Sequence, residues 1–145
     1  LTALHPCSQN LSYGGIKTVL GGMNMKIAAV NACIDGVKRN LGEALLTTTI
    51  VGLQDGQAIA RYNTTPKLEA IVAQITTFYQ NVLKNTEIRK LGEYYFIQLD
   101  NNTAGVFIVF DNYVWSVIFD TTKTTMGMRL NVYMPDMIAE FETAM

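Results

Sequence analysis

Three strand-like segments follow one another in the second half of the chain with no room for a helix between them. They are Tyr94 to Leu99, Val106 to Phe110 and Tyr113 to Phe119. Their connections are Asp100-Asn101-Asn102-Thr103-Ala104-Gly105 and Asp111-Asn112. Asp and Asn favour turns because their short side chains bond nearby backbone N–H groups and tolerate positive φ. Parallel neighbours need a crossover of about a dozen residues or more, so these strands are expected to form an antiparallel meander. Runs such as Val106-Phe107-Ile108-Val109-Phe110 are apolar at every position, which suits strands covered on both faces.

The rest of the chain is expected to wrap around that meander. Residues 24–40 carry apolar side chains at helical spacing (Ile27, Val30, Ile34, Val37, Leu41), with Asn24 as a possible cap and Gly42 as a stop. Residues 44–62 look like a hairpin: Leu45 to Leu53, an Asp55-Gly56 turn, then Ala58 to Tyr62. Residues 66–90 look like a long helix, capped by Thr65, opened by Pro66 and ended by Gly92. Its stripe (Leu68, Ile71, Val72, Ile75, Phe78, Tyr79, Val82, Leu83) is broad, with small residues Ala70, Ala73 and Thr77 beside it, so it can pack on two sides. Residues 126–144 form a last helix, with Met128, Val132, Met137, Ile138 and Phe141 inward and Pro135 expected to kink or interrupt it. Residues 1–22 have no period and read as an irregular leader; 23–145 read as the domain. The chain opens on Leu1, so it is expected to be a fragment, a processed form or a chain with a foreign start, with Met23 and Met25 as candidates for a natural one.

Charge excludes several functions. Eleven basic residues balance twelve acidic ones, for a net charge of −1, and they are scattered. A nucleic-acid binder needs a basic surface, and a membrane surface a polybasic patch; neither is present. No stretch has the length of apolar residues a membrane helix needs. Only 16% of residues are charged while 49% are hydrophobic, which implies apolar surface to hide, most simply by self-association.

The order αββαβββα implies an α+β domain: a five-stranded antiparallel sheet, the first and last helices on one face and the long helix on the other. Residues 26–142 in this order resemble the Roadblock/light-chain family. The likeness is carried by Thr49-Ile50-Val51-Gly52-Leu53-Gln54-Asp55-Gly56-Gln57-Ala58-Ile59-Ala60, by Tyr113-Val114-Trp115-Ser116-Val117-Ile118-Phe119, and by Met126-Gly127-Met128-Arg129-Leu130 at the start of the last helix. In this topology the strand 94–99 is an edge without proline or charge, and such an edge aggregates unless it finds a partner. The resemblance implies a homodimer in which this edge pairs with its symmetry mate and the sheet continues across both copies. The expected interface is Tyr94, Tyr95, Phe96, Ile97, Gln98 and Leu99 with Ile71, Ile75, Phe78 and Tyr79 of the long helix. It also implies a regulator or scaffold partner of a Ras-like small GTPase, in the cytoplasm, acting on the GTPase's switch regions rather than donating a catalytic group. Arg61, on the other edge strand, and Arg129 are candidate partner contacts.

Candidate chemistry is sparse. His5 is the only histidine and has no obvious base or nucleophile near it, so no catalytic site is expected. Asp55, Asp100, Asp111 and Asp120 follow strand ends, where turn capping explains them better than an acid pair or a metal site. Gly14-Gly15 and Gly21-Gly22 match no phosphate-binding spacing. Trp115, Tyr94, Tyr95 and Phe96 could line a ligand pocket, but core and interface packing accounts for them. Cys7 and Cys33 form no metal motif and are expected as reduced thiols, with a Cys7–Cys33 disulfide as the alternative. No cofactor and no metal are expected. The alternative to an interaction module is a small-molecule sensor of the PAS or profilin-like kind, which needs a cavity between sheet and helix; an enzyme ranks last.

Overall fold

The structure is a computed structural model that describes residues 18–20, 23–25, 27–124 and 126–144, of which 18–25 and 126–132 are described by backbone alone. His5, Cys7 and the glycine pairs at 14–15 and 21–22 lie outside the described residues. The chain divides into two compact units, residues 44–122 and the remainder.

Residues 44–122 hold a five-stranded antiparallel sheet and one helix. The strands are β3 (Leu45–Gly52), β4 (Ala58–Tyr62), β5 (Tyr94–Leu99), β6 (Thr103–Val109) and β7 (Tyr113–Asp120), in the order β4-β3-β7-β6-β5. Outside the sheet, β1 (Thr18–Leu20), inside the stretch 1–22 expected to be irregular, pairs antiparallel with β2 (Met23–Met25), at the start of the expected domain. Asn24 therefore pairs with Val19 instead of capping a helix, and α1 starts later, at Ile27–Leu41. As expected, the αββαβββα order runs from α1 onward, through α2 (Pro66–Lys84) to α3 (Met126–Ala144).

The sheet centre is buried almost throughout, its hydroxyls included. Seven successive residues of β7, Tyr113 to Phe119, are buried, and so is nearly all of β3. Their registers place Ile50 beside Trp115 and Thr48 beside Val117. Trp115 is fully buried; its indole N–H donates to Thr48 Oγ1 at 2.9 Å, and the Thr48 hydroxyl donates to the Ser116 carbonyl at 2.8 Å. The chain thereby places a polar ring atom in the core with its partner supplied.

The start of β6 lies three residues earlier than expected. Asn101 and Asn102 both hold positive φ, as the central residues of a type I′ turn must, and Thr103 N–H closes the turn onto the Asp100 carbonyl. The turn thus ends at Asn102, and Thr103, Ala104 and Gly105 join β6 instead of the loop. Gly105 is a strand glycine because a Cβ there would meet the Phe107 ring at 2.8 Å.

α2 begins as expected: the Thr65 side chain accepts from Leu68 N–H and Pro66 follows. It ends at Lys84, six residues short of the expected Lys90. Asn85 N–H turns back to Asn81 and Leu83, and Thr86 donates both its N–H and its hydroxyl to the Leu83 carbonyl. The Thr86 hydroxyl competes for a helix carbonyl in this way, which favours ending the helix there. The buried side of α2 lies on the sheet, where Val72 and Ala73 pack with Val51, Phe107 and Val114.

In the other unit α1 meets α3. Val30, Cys33, Ile34 and Val37 of α1 are buried, and the Glu140 carboxylate of α3 lies beside Gly36. Burial, and then the charge of Asp136, push the Glu140 carboxyl above its usual range; Arg39 pulls part of that back. Cys33 is disulfide-bonded, against the expectation of reduced thiols; Cys7, the only other cysteine of the sequence, lies outside the described residues. α3 runs through Pro135 without the expected interruption. The proline is exposed, so the carbonyl deprived of its N–H can bond to water.

Candidate functional site

Among the described residues, strand β5 is the sheet's last strand and is hydrogen-bonded to β6 alone. Its residues Tyr94, Tyr95, Phe96, Ile97, Gln98 and Leu99 include no charge and no proline, the usual devices that blunt an edge. Tyr95 and Ile97 turn toward α2 and pack on the core beneath it, while Tyr94, Phe96, Gln98 and Leu99 are exposed.

α2 extends this surface. Ile71, Phe78, Tyr79 and Val82 are exposed and Ile75 is half-buried, at spacings that line one flank of the helix. Phe78 is 62% exposed, an unusual position for a large apolar ring. An aromatic ladder joins helix to edge: Phe78 lies 6.0 Å from Tyr79, Tyr79 meets Tyr95 edge-on at 5.2 Å, and Tyr95 stacks on Phe107 at 4.8 Å. Such pairs add specific geometry to the burial of their area. Of the ten residues expected at one surface, Tyr95 and Ile97 pack on the core under α2, Tyr94, Phe96 and Gln98 stand on the other face of the strand, and Ile71, Phe78 and Tyr79 are exposed on the helix.

Tyr95 anchors the ladder by its hydroxyl, 2.7 Å from Thr76 Oγ1. The Thr76 proton goes to the Val72 carbonyl at 2.9 Å, so Tyr95 is the donor in its neutral form. Burial pushes the Tyr95 phenol above its usual 10.0; the Thr76 hydroxyl, whose proton can turn to a phenolate, pulls part of that back, and Tyr79 adds to the rise. A raised folded pKa gives stability that is complete below pH 10 and is lost as pH rises through the folded value. Unfolding free energy should therefore fall above pH 10, and Tyr95→Phe should flatten that fall while costing about 1 kcal/mol at neutral pH. Tyr113, also raised by burial, keeps part of the fall in the variant. Urea unfolding between pH 7 and 11 checks both; an equally steep fall in the variant would remove Tyr95 from the account.

Arg61 lies on the opposite edge strand, and it is engaged. Its Nη2 donates to Glu69 Oε1 at 3.3 Å, and its Nε lies 2.9 Å from Oε2. The second approach is out of line for a hydrogen bond, so Oε2 is held by charge alone. Glu69 is 2% exposed and was not foreseen. Its spacing was available: it stands three residues before Val72 and seven before Thr76, on the buried stripe. Arg129 lies in α3, its side chain outside the described residues. Two of the turn aspartates cap backbone as expected: Asp55 accepts from Gln57 N–H, and Asp120 from Thr122. Across α2 from the apolar stripe, an open groove of about 420 Å³ runs between the helix and the β3–β4 turn. Among the described residues no acidic, His or Cys cluster could hold a metal ion, and no helix is long and apolar enough to cross a membrane.

No protein-family model matches the chain, and no curated protein does. Solved structures do. MglB of Myxococcus xanthus is 16% identical, with a TM-score of 0.68 over 83% of this chain and 92% of its own. A Roadblock/LC7 domain from Streptomyces avermitilis is 8% identical, with a TM-score of 0.64 over 77% of this chain and 93% of its own. Profilin of Schizosaccharomyces pombe is 12% identical, with a TM-score of 0.57 over 79% and 98%. At such identities the likeness concerns the fold, which is that of the Roadblock and profilin-like α+β domains.

Proposed function

We propose that a chain with this Roadblock-like fold and one bare sheet edge works as a homodimeric interaction module, a regulator or scaffold partner of a Ras-like small GTPase, with no catalysis of its own. The supporting observation is the continuity of the β5 edge with the apolar flank of α2. Both present apolar groups to solvent, and Tyr79 of α2 meets Tyr95 of β5 edge-on, so the helix flank and the strand run along one border of the sheet. A twofold dimer buries a self-complementary surface of this kind on both copies at once. The GTPase part rests on the fold likeness and is therefore analogy, since one fold hosts many functions. Arg61 and Arg129 are the proposed contacts to the partner; the Glu69 carboxylate would hold the Arg61 guanidinium in place while leaving part of it exposed.

Cytoplasmic placement belongs to the same proposal. The disulfide of Cys33 stands against it, because structural disulfides persist in oxidising compartments. The 420 Å³ groove beside α2 favours the second reading, a profilin-like small-molecule sensor.

The test is capture of partners on immobilised chain from the native lysate, read by GTP binding and by GTP turnover of the captured fraction. A GTPase, alone or in a larger assembly, is the expected catch. Recovery of neither would overturn the GTPase reading and leave the dimer to be judged separately.

A further inference from the structure

The hydrogen-bond phase of β5 carries more than the existence of a seam. Val109 N–H donates to the Glu93 carbonyl at 2.8 Å. That pair continues the β5–β6 register, in which Tyr95 faces Phe107, Ile97 faces Gly105 and Leu99 faces Thr103. Bonded and non-bonded pairs alternate along an antiparallel ladder. Glu93, Tyr95, Ile97 and Leu99 therefore turn their N–H and C=O groups toward β6. Tyr94, Phe96 and Gln98 turn theirs outward, and these three residues are the free edge.

We infer that β5 pairs antiparallel with a second copy so that the twofold axis passes through Phe96, with Tyr94 opposite Gln98 of that copy. This rests on the proposal that the chain dimerises through β5, and deepens it. An axis between two residues would set outward groups against inward ones, so the axis must pass through a residue. Through Phe96, all three outward residues find outward partners inside the strand. Through Tyr95, Gln98 would face Gly92; through Ile97, Tyr94 would face Asp100. Gly92 and Asp100 both lie outside the strand bounds Tyr94–Leu99. The Phe96 axis therefore satisfies three residue pairs, and each alternative satisfies two.

The side chains agree with this register. Tyr95 and Ile97 pack toward α2, so Phe96 stands on the other face and meets Phe96 of the second copy, an aromatic cross-strand pair. On the α2 face Tyr95 comes beside Ile97 of the second copy, at a non-bonded position where side chains approach most closely. In this register a charge at position 96 would face its double directly, and charges of one sign at 94 and 98 would face each other. β5 carries none, which fits the second copy as its occupant.

Single-cysteine additions at the three outward positions of the full chain test this. The reagent is a bifunctional thiol linker short enough to bridge roughly 5 Å, the spacing across a bonded pair. Phe96→Cys should link to itself, with covalent dimer on the order of tenfold above the parent chain, because pairing raises the local thiol concentration. Tyr94→Cys and Gln98→Cys should link only when the two variants are mixed, which keeps the test valid if Phe96→Cys weakens the seam. A linked heterodimer of 94 with 96, or of 96 with 98, told by mass from the self-linked Phe96→Cys dimer, would overturn the register while leaving the β5 seam standing. A dimer by sedimentation that links at none of these sites would overturn the seam. A strict monomer would overturn the dimer on which both depend.

Discussion

Replacing Phe96 with lysine should leave the fold standing and turn the dimer into a monomer. Phe96 is exposed in the single chain, so the substitution removes little from the core. In a dimer sealed along β5 the same change brings a lysine from each copy to one border of the sheet. The two ammonium groups, splayed to about 8 Å on an exposed face with an effective dielectric of ~40, repel by about 1 kcal/mol. That raises Kd by about fivefold, and the lost aromatic contact and apolar burial raise it further, together by on the order of tenfold or more. Sedimentation velocity at micromolar concentration reads the result, and thermal unfolding controls for the fold. A dimer of unchanged affinity would place the interface elsewhere than β5.

The largest loss of stability should come from Trp115→Ala. Trp115 sits on β7, the strand between β3 and β6, flanked by Ile50 and Ile108 in the two registers and fully buried. Removing its ring deletes a large transfer free energy and leaves a cavity that a sheet pinned on both sides cannot close. Such changes cost ~3–5 kcal/mol, against a total stability of ~5–15 kcal/mol for a domain. Trp115→Phe separates the contributions, because it keeps most of the packing and gives up the hydrogen bond to Thr48, worth about 1 kcal/mol. The Thr48 hydroxyl still donates to the Ser116 carbonyl in either variant. Urea denaturation of both variants measures the difference; an alanine variant as stable as the parent would mean the ring is not part of the core.

Element types were legible where the cause is local. The hairpin at Asp55-Gly56, the Thr65-Pro66 helix start and the Gly42 stop all follow from chemistry within a few residues, and each stands where its residues point. Boundaries moved where a competing local bond was overlooked. Asn85 and Thr86 close α2 early, and paired positive-φ asparagines shorten the turn so that Ala104 and Gly105 enter β6. Gly105 was mistaken for a loop glycine because its reason, the Phe107 ring against its Cα, exists only once β6 has formed. Within the site, the apolar stripe of α2 and the chargeless strand 94–99 were both visible. Glu69 was missed although its spacing marked it, since a carboxylate on a buried stripe is improbable until a partner is found. That partner, Arg61, lies on another element.

By itself the order of residues determined the kinds of elements, their sequence and the apolar character of one strand, because periodicity, caps and turns act over a few positions. Tertiary structure alone decided that β5 ends the sheet, that its even-numbered residues carry the unpaired backbone groups, and that Tyr79 of α2 meets Tyr95 of β5. It also decided which polar groups are satisfied in the core, as Thr48 is by Trp115 and Ser116. These facts join residues tens of positions apart. Their energy appears only when the sheet has set its strand order and register, and no local pattern encodes that phase.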